Sequence, residues 1–127
     1  MKVLLIEDDD SQRVLLRHVI AKKIDGKIYE AKNGIEGLRL VKFHSPDIIL
    51  LDIWMPILNG LEMLEKLRQD EAHRSIPVVI ITSVGDKETI QKAVSHRIAG
   101  YILKPFSAEQ VYTVLSKYIP ASKVKAA

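Results

Sequence analysis

Three uninterrupted apolar runs constrain this chain more than any other feature: Val3-Leu4-Leu5-Ile6, Ile48-Ile49-Leu50-Leu51 and Pro77-Val78-Val79-Ile80-Ile81. A strand with one wet face alternates apolar and polar residues. A strand that is apolar at every position must be covered on both faces, which is the condition of a parallel sheet lying between helices. Tyr101-Ile102-Leu103 repeats the pattern in shorter form, and residues 27–31 repeat it more weakly. None of the runs is long enough to cross a bilayer.

Helical spacing fills the intervals. Leu16, Ile20 and Ile24 recur every four residues, with Leu15 and Val19 widening the stripe. Leu61, Leu64 and Leu67 mark a helix opened by Pro56 and the turn at Asn59-Gly60. Val111, Val114, Leu115 and Tyr118 mark the last helix, with Ser107 as its N-cap. Two further helices fit residues 35–43 and 87–96. The order is strand then helix, five times over, which predicts a doubly wound α/β domain with right-handed crossovers and helices on both faces of the sheet. With 127 residues and 47% hydrophobic content, one domain accounts for the chain. It is predicted to span residues 1–120, with 121–127 as a flexible C-terminal tail.

The absence of cysteine removes disulfide scaffolds, thiolate metal sites and cysteine nucleophiles. Net charge is +3, but four acids stand together at Glu7-Asp8-Asp9-Asp10, which leaves the remainder at +7, with 19 basic against 12 acidic residues. The basic residues are scattered along helix faces without aromatic interleaving, so the surface reads as solvated, and no direct DNA binding is expected. No secretory leader and no membrane segment is read, and the location expected is cytoplasmic. His18, His44, His73 and His96 lack metal-ligand spacing and are predicted to be solvated. Met63 reads as core and Trp54 as a partly exposed loop residue.

In an open α/β sheet the chemistry gathers at the C-terminal ends of the strands. Those ends carry Glu7-Asp8-Asp9, Asp52, Thr82-Ser83 and Lys104-Pro105. Converging carboxylates repel one another, so either their pKa values rise or a cation binds. Oxygen donors without histidine or cysteine favour Mg2+. A carboxylate nucleophile, a metal, a lysine and a hydroxyl are the parts that phosphoryl transfer needs.

Four segments, in order, resemble the receiver domain of bacterial two-component response regulators along almost the whole chain. They are Leu5-Ile6-Glu7-Asp8-Asp9, Pro46-Asp47-Ile48-Ile49-Leu50-Leu51-Asp52-Ile53-Trp54-Met55-Pro56 with Asn59-Gly60, Ile80-Ile81-Thr82-Ser83, and Gly100-Tyr101-Ile102-Leu103-Lys104-Pro105-Phe106. The resemblance implies a flavodoxin-like (βα)5 fold with strand order 2-1-3-4-5. It implies Asp52 as phosphoacceptor from a histidine kinase or histidine phosphotransfer partner. Mg2+ would be held by Asp8 directly and by Glu7 through water, together with Asp52 and the backbone carbonyl of Trp54, with Asp9 a bystander or helix cap. Thr82 and Lys104 would engage the phosphoryl group, Thr82 and Tyr101 would switch, and the Lys104–Pro105 bond would be cis. The face of the fourth helix, fifth strand and fifth helix would then bind an effector protein, still unknown, or a second copy of the chain. Such a domain is no enzyme in the ordinary sense, catalysing only its own phosphorylation and dephosphorylation.

Residues 97–100 lack the paired aspartates usual in receivers fused to winged-helix domains, which suggests a stand-alone, chemotaxis-type receiver. Two rival readings remain. A degenerate receiver would serve as a phosphorylation-independent interaction module. An aspartate-nucleophile, Mg2+-dependent phosphatase would want a second aspartate where Trp54 stands.

Overall fold

The computed structural model describes residues 1–125. Five strands and five helices alternate: β1 (Lys2–Ile6), α1 (Asp10–Lys23), β2 (Lys27–Ala31), α2 (Gly34–His44), β3 (Ile48–Leu51), α3 (Gly60–Gln69), β4 (Val78–Thr82), α4 (Lys87–Ser95), β5 (Gly100–Leu103) and α5 (Ala108–Leu115). All strand pairs are parallel, and the order is 2-1-3-4-5, the flavodoxin-like topology expected. Among the described residues no helix is long and apolar enough to cross a membrane.

Successive strand residues point to opposite faces, and each face has its own core. Leu4, Ile6, Ile49, Leu51, Val78 and Ile80 pack with Val41 of α2, Met63, Leu64 and Leu67 of α3, and Ala93 of α4. Val3, Leu5, Ile48, Leu50, Val79, Ile81 and Ile102 pack with Leu16 and Ile20 of α1 and Val111 and Leu115 of α5. The continuous apolar runs are thus buried on both sides, as their composition demands.

The registers align Ile6 with both Ala31 and Leu51, Leu51 with Ile80, and Thr82 with Leu103. The C-terminal ends of the strands therefore share one edge of the sheet. Helix caps match the sequence signals, with Asn59 and Ser107 each closing a capping box and Asp9 capping α1 through the Gln12 amide.

Several expectations need correction. Leu15 is half exposed, because the face that α1 turns inward is carried by Arg13, Leu16 and Ile20, with Val19 packed at its edge as expected. The last helix ends at Leu115, before Tyr118. His73 is not solvated: its Nδ1 lies 2.9 Å from Asp70 Oδ2 and its Nε2 3.2 Å from Ser45 Oγ. The imidazole thereby ties the end of α2 to the end of α3. The His73 hydrogen bond, helped by the Ala72 amide, holds the Asp70 carboxyl below its usual range. Replacing this linkage in His73→Ala is expected to lower unfolding free energy by about 1 kcal/mol in urea titration. His44 is also packed, stacked on Tyr29 with ring centroids 3.9 Å apart.

The segment beginning at Ala121, expected to be flexible, is placed as a short 3-10 turn (Ala121–Lys123) followed by a bridge from Val124 to Ile24. The Lys125 amide donates to the Lys23 carbonyl at 2.7 Å. Residues 126 and 127 lie outside the described residues.

Candidate functional site

Backbone hydrogen bonds extend the sheet past its strand ends and so fix the residues that matter. The Glu7 amide donates to Ala31 O at 3.0 Å, the Asp52 amide to Ile6 O at 3.0 Å, and the Lys104 amide to Thr82 O at 2.9 Å. Glu7, Asp52 and Lys104 are thereby placed by main chain rather than by flexible loops. Thr82 is the last residue of β4 and fully buried.

These side chains meet. The Lys104 ammonium donates to Glu7 Oε1, and to Asp52 Oδ2 at 2.9 Å. Glu7, Asp8 and Asp52 each offer a carboxylate oxygen, and these oxygens lie within 4.8 Å of one another. Glu7 and Asp52 are buried, whereas Asp8 is exposed. Burial, reinforced by the Asp52 charge, pushes the Glu7 carboxyl up to about 7 even though Lys104 acts in the opposite direction. For Lys104 burial acts to lower the pKa, and the hydrogen bonds to Glu7 and Asp52 outweigh it, so the net shift is upward.

The sign of the Glu7 shift gives a test. A carboxyl raised from 4.5 to about 7 on folding stabilises the protein below its unfolded pKa, and that contribution is lost as pH rises through 7. Without divalent cations, stability is expected to fall by about 2 kcal/mol between pH 5 and pH 8. Glu7→Gln, which fixes the neutral form, is expected to flatten that slope in urea titrations with a chelator present.

Trp54 sits on the loop after β3, 67% exposed, with its amide 3.4 Å from Asp52 Oδ1. The loop is anchored where the Gly60 amide donates to Ile53 O at 2.9 Å. Between these points Ile57 has φ 71°, a left-handed conformation that crowds a β-branched side chain. The Ile57 side chain is 79% exposed, so little burial is lost on replacement. Ile57→Gly is expected to raise stability by about 0.5–1 kcal/mol, read from the thermal or urea midpoint. The Lys104–Pro105 bond is cis, as the resemblance implied.

Thr82 Oγ1 lies 3.4 Å from the Val84 amide, a weak contact, and the Tyr101 hydroxyl donates to the Val84 carbonyl. Both side chains thus hold the β4–α4 loop at one residue. Asp9, the fourth acid in question, only caps α1.

Sequence reasoning gave no role to Arg13. Its guanidinium donates to Glu7 O at 2.9 Å, Glu30 Oε1 at 3.2 Å and Asp10 Oδ1 at 2.6 Å. It positions the backbone of Glu7 from beneath. The signal was its place in the buried stripe of α1, where a cation must have partners.

The cluster can bind a divalent cation through hard oxygen donors and present a carboxylate beside a fixed ammonium and a hydroxyl. Residues 3–116 match the response regulator receiver domain. The chemotaxis protein CheY of Halobacterium salinarum is 34% identical over 120 residues, which cover 94% of this chain and 98% of that protein. The probable C4-dicarboxylate response regulator DctR of Bacillus subtilis is 36% identical over 118 residues, which cover 92% of this chain but only 51% of DctR.

Among solved structures, the N-terminal domain of an uncharacterized protein (WS1339) from Wolinella succinogenes superposes with a TM-score of 0.85 at 30% identity, covering 93% of each chain. The receiver domain of the sensor histidine kinase PA1611 from Pseudomonas aeruginosa, with a magnesium ion in its active site cleft, shares the fold at a TM-score of 0.81 and 21% identity, covering 92% of this chain and 95% of its own. This chain belongs to the response regulator receiver domain family, the phosphorylation-controlled modules of two-component signalling.

Proposed function

We propose that Asp52 accepts a phosphoryl group from a partner's phosphohistidine, and that the resulting charge changes which protein the α4–β5–α5 face binds. The observation that carries this reading is the Lys104 ammonium set between Glu7 and Asp52, with Asp8 beside them, at the shared end of β1, β3 and β5. A carboxylate oxygen of Asp52 attacks phosphorus as the phosphorus–nitrogen bond of the donor breaks. An acyl phosphate forms, and the donor imidazole leaves with the bond electrons and takes up a proton.

The donor set suits Mg2+: three carboxylates with oxygens within 4.8 Å of one another and no soft ligand, with the Trp54 carbonyl as the further oxygen that the resemblance implies. When bound there, Mg2+ supplies positive charge that neutralises the phosphoryl oxygens. Lys104, bonded to both Asp52 and Glu7, supplies a second positive charge beside the acceptor carboxylate. Beside a bound cation Glu7 would be ionised, and Arg13 keeps its backbone in place.

Once phosphorylated, Asp52 carries new charged acceptor oxygens. The Thr82 hydroxyl, held only weakly at Val84, turns toward them. Val84 is also the point where Tyr101 is tied, so the β4–α4 loop and the tyrosine shift together and reshape the α4–β5–α5 face. This is a population shift driven by charge-assisted bonds made in one state only. Partners of two kinds follow: a histidine kinase or phosphotransfer protein as donor, and a downstream effector or a second copy of the chain as reader.

Incubation with acetyl phosphate, followed by intact-mass spectrometry, tests the reading. One adduct of about 80 Da that requires Mg2+ supports it. No adduct, under conditions where a known receiver is labelled, would leave a phosphorylation-independent interaction module.

A further inference from the structure

The end of the sheet opposite Asp52 holds a second charged site. Near the N-terminal ends of β4 and β5, a cleft of about 520 Å³ is lined by Arg68, Arg74 and Arg97, with Ser75, Ile98 and Tyr118 among the other walls. Arg68 is the half-buried floor. Its Nε donates to His96 O at 2.7 Å, Nη1 to Arg74 O at 3.0 Å and Ile76 O at 2.9 Å, and Nη2 to Arg97 O at 2.9 Å. Four of its five N–H groups are therefore spent on carbonyls, which lock the α3–β4 and α4–β5 loops together. No carboxylate among the described residues pairs with it, and burial, followed by the nearby Arg97 charge, lowers its pKa.

Arg74 and Arg97 are different. Each comes from one of the two loops that Arg68 joins, and each is exposed. Among the described residues, none of the three arginines forms an ion pair. Of the acids just before Arg74, Asp70 is already engaged by His73 and the Ala72 amide, and the exposed Glu71 forms no ion pair with any described residue. Arg97 also stands at φ 59°, a position where glycine or asparagine would cost less. Arg97 therefore holds a backbone position that its residue type does not favour, and it lines the cleft.

We propose that this cleft binds the phosphate or diphosphate group of a small molecule. Two free guanidinium groups on separate loops match the several oxygens of a phosphate and can each form charge-assisted pairs with it. The Arg68 charge between the loops adds attraction without needing to move. The volume suits a small ligand rather than a flat protein epitope, and the Tyr118 ring offers a wall for a planar group. The site stands apart from Asp52 and does not depend on phosphoryl transfer there.

The test is a titration of the 15N-labelled full chain at low salt without Mg2+, read from amide shifts. The probes are pyrophosphate, adenosine diphosphate, adenosine and sulfate. The expected result is saturable pyrophosphate binding with a dissociation constant below about 1 mM, with shifts centred on residues 74–76, 97–99 and 118. Arg74→Gln combined with Arg97→Gln is expected to weaken it about tenfold while leaving the urea midpoint unchanged. Asp52→Asn is expected to bind as wild type does.

Tighter binding of adenosine diphosphate than of pyrophosphate supports the proposal with a nucleotide as ligand. Equal binding supports it with the phosphate group alone as the feature recognised. Three outcomes would overturn it: no saturation by about 10 mM, unchanged binding in the double variant, or sulfate binding as well as pyrophosphate, an adventitious ion only.

Discussion

Asp52→Asn is expected to abolish phosphoryl acceptance from every donor, while leaving a folded protein whose stability lies within about 1 kcal/mol of wild type. The side chain keeps its shape, so the amide oxygen still accepts the Lys104 hydrogen bond that Asp52 Oδ2 accepts at 2.9 Å. What it loses is the charged oxygen needed to attack phosphorus. It also removes one of the three carboxylates that repel one another at the sheet end.

Since the Asp52 charge helps push the Glu7 carboxyl up, the variant brings that carboxyl down. Its stability then depends less steeply on pH between 5 and 8. Intact mass and urea titration together separate this outcome from a misfolded variant, which would lose both properties at once.

Gly60→Ala is expected to be the most damaging small substitution near the site, at about 3 kcal/mol of unfolding free energy. A Cβ there would stand 2.2 Å from the Asp52 carbonyl oxygen, 2.8 Å from Ile53 Cα and 2.9 Å from the Asp52 carbonyl carbon. These are backbone atoms and cannot swing aside as a side chain would. The first turn of α3 approaches the main chain of Asp52, and the Gly60 amide donates to Ile53 O at that contact.

Relief requires either α3 or the Asp52 backbone to move, and α3 is seated by Met63, Leu64 and Leu67, all fully buried. The labelling rate is therefore expected to fall together with stability. Denaturant titration and the time course of adduct formation measure the two effects.

How far the sequence spoke depends on which kind of residue is asked. The strands were legible because burial on both faces leaves no polar position in them. Residues 48–51 and 27–31 were bounded as they are found. Strand order followed from the family resemblance, since parallel pairing alone permits several arrangements.

The carboxylates, Thr82 and Lys104 were legible because each ends an apolar run, and backbone hydrogen bonds from the neighbouring strands bring those ends together. Arg13 and Arg68 were given no role, and His73 was read as solvated. Beside local partners such as Asp10 and Asp70 they bind groups from other elements, Glu30 on β2, Ser45 after α2 and the carbonyls of the α4–β5 loop, and sequence spacing does not announce those distant pairs. Leu15 misled for the opposite reason, since periodicity marks a stripe but not how much of it a neighbour covers.

Position along the chain likewise says little about the residues after 120. The Lys125 ammonium reaches the Ala21 carbonyl at 2.7 Å, a contact with α1 across the fold.

Three carboxylates lie together, and the account rests on only one of them taking the phosphoryl group. Mapping the adduct after acetyl phosphate and Mg2+ treatment, by borohydride reduction of the acyl phosphate and tandem mass spectrometry, decides this. Reduction is expected at Asp52 alone, with none in Asp52→Asn. Modification at Glu7 or Asp8, or on a histidine as phosphoramidate, would contradict it.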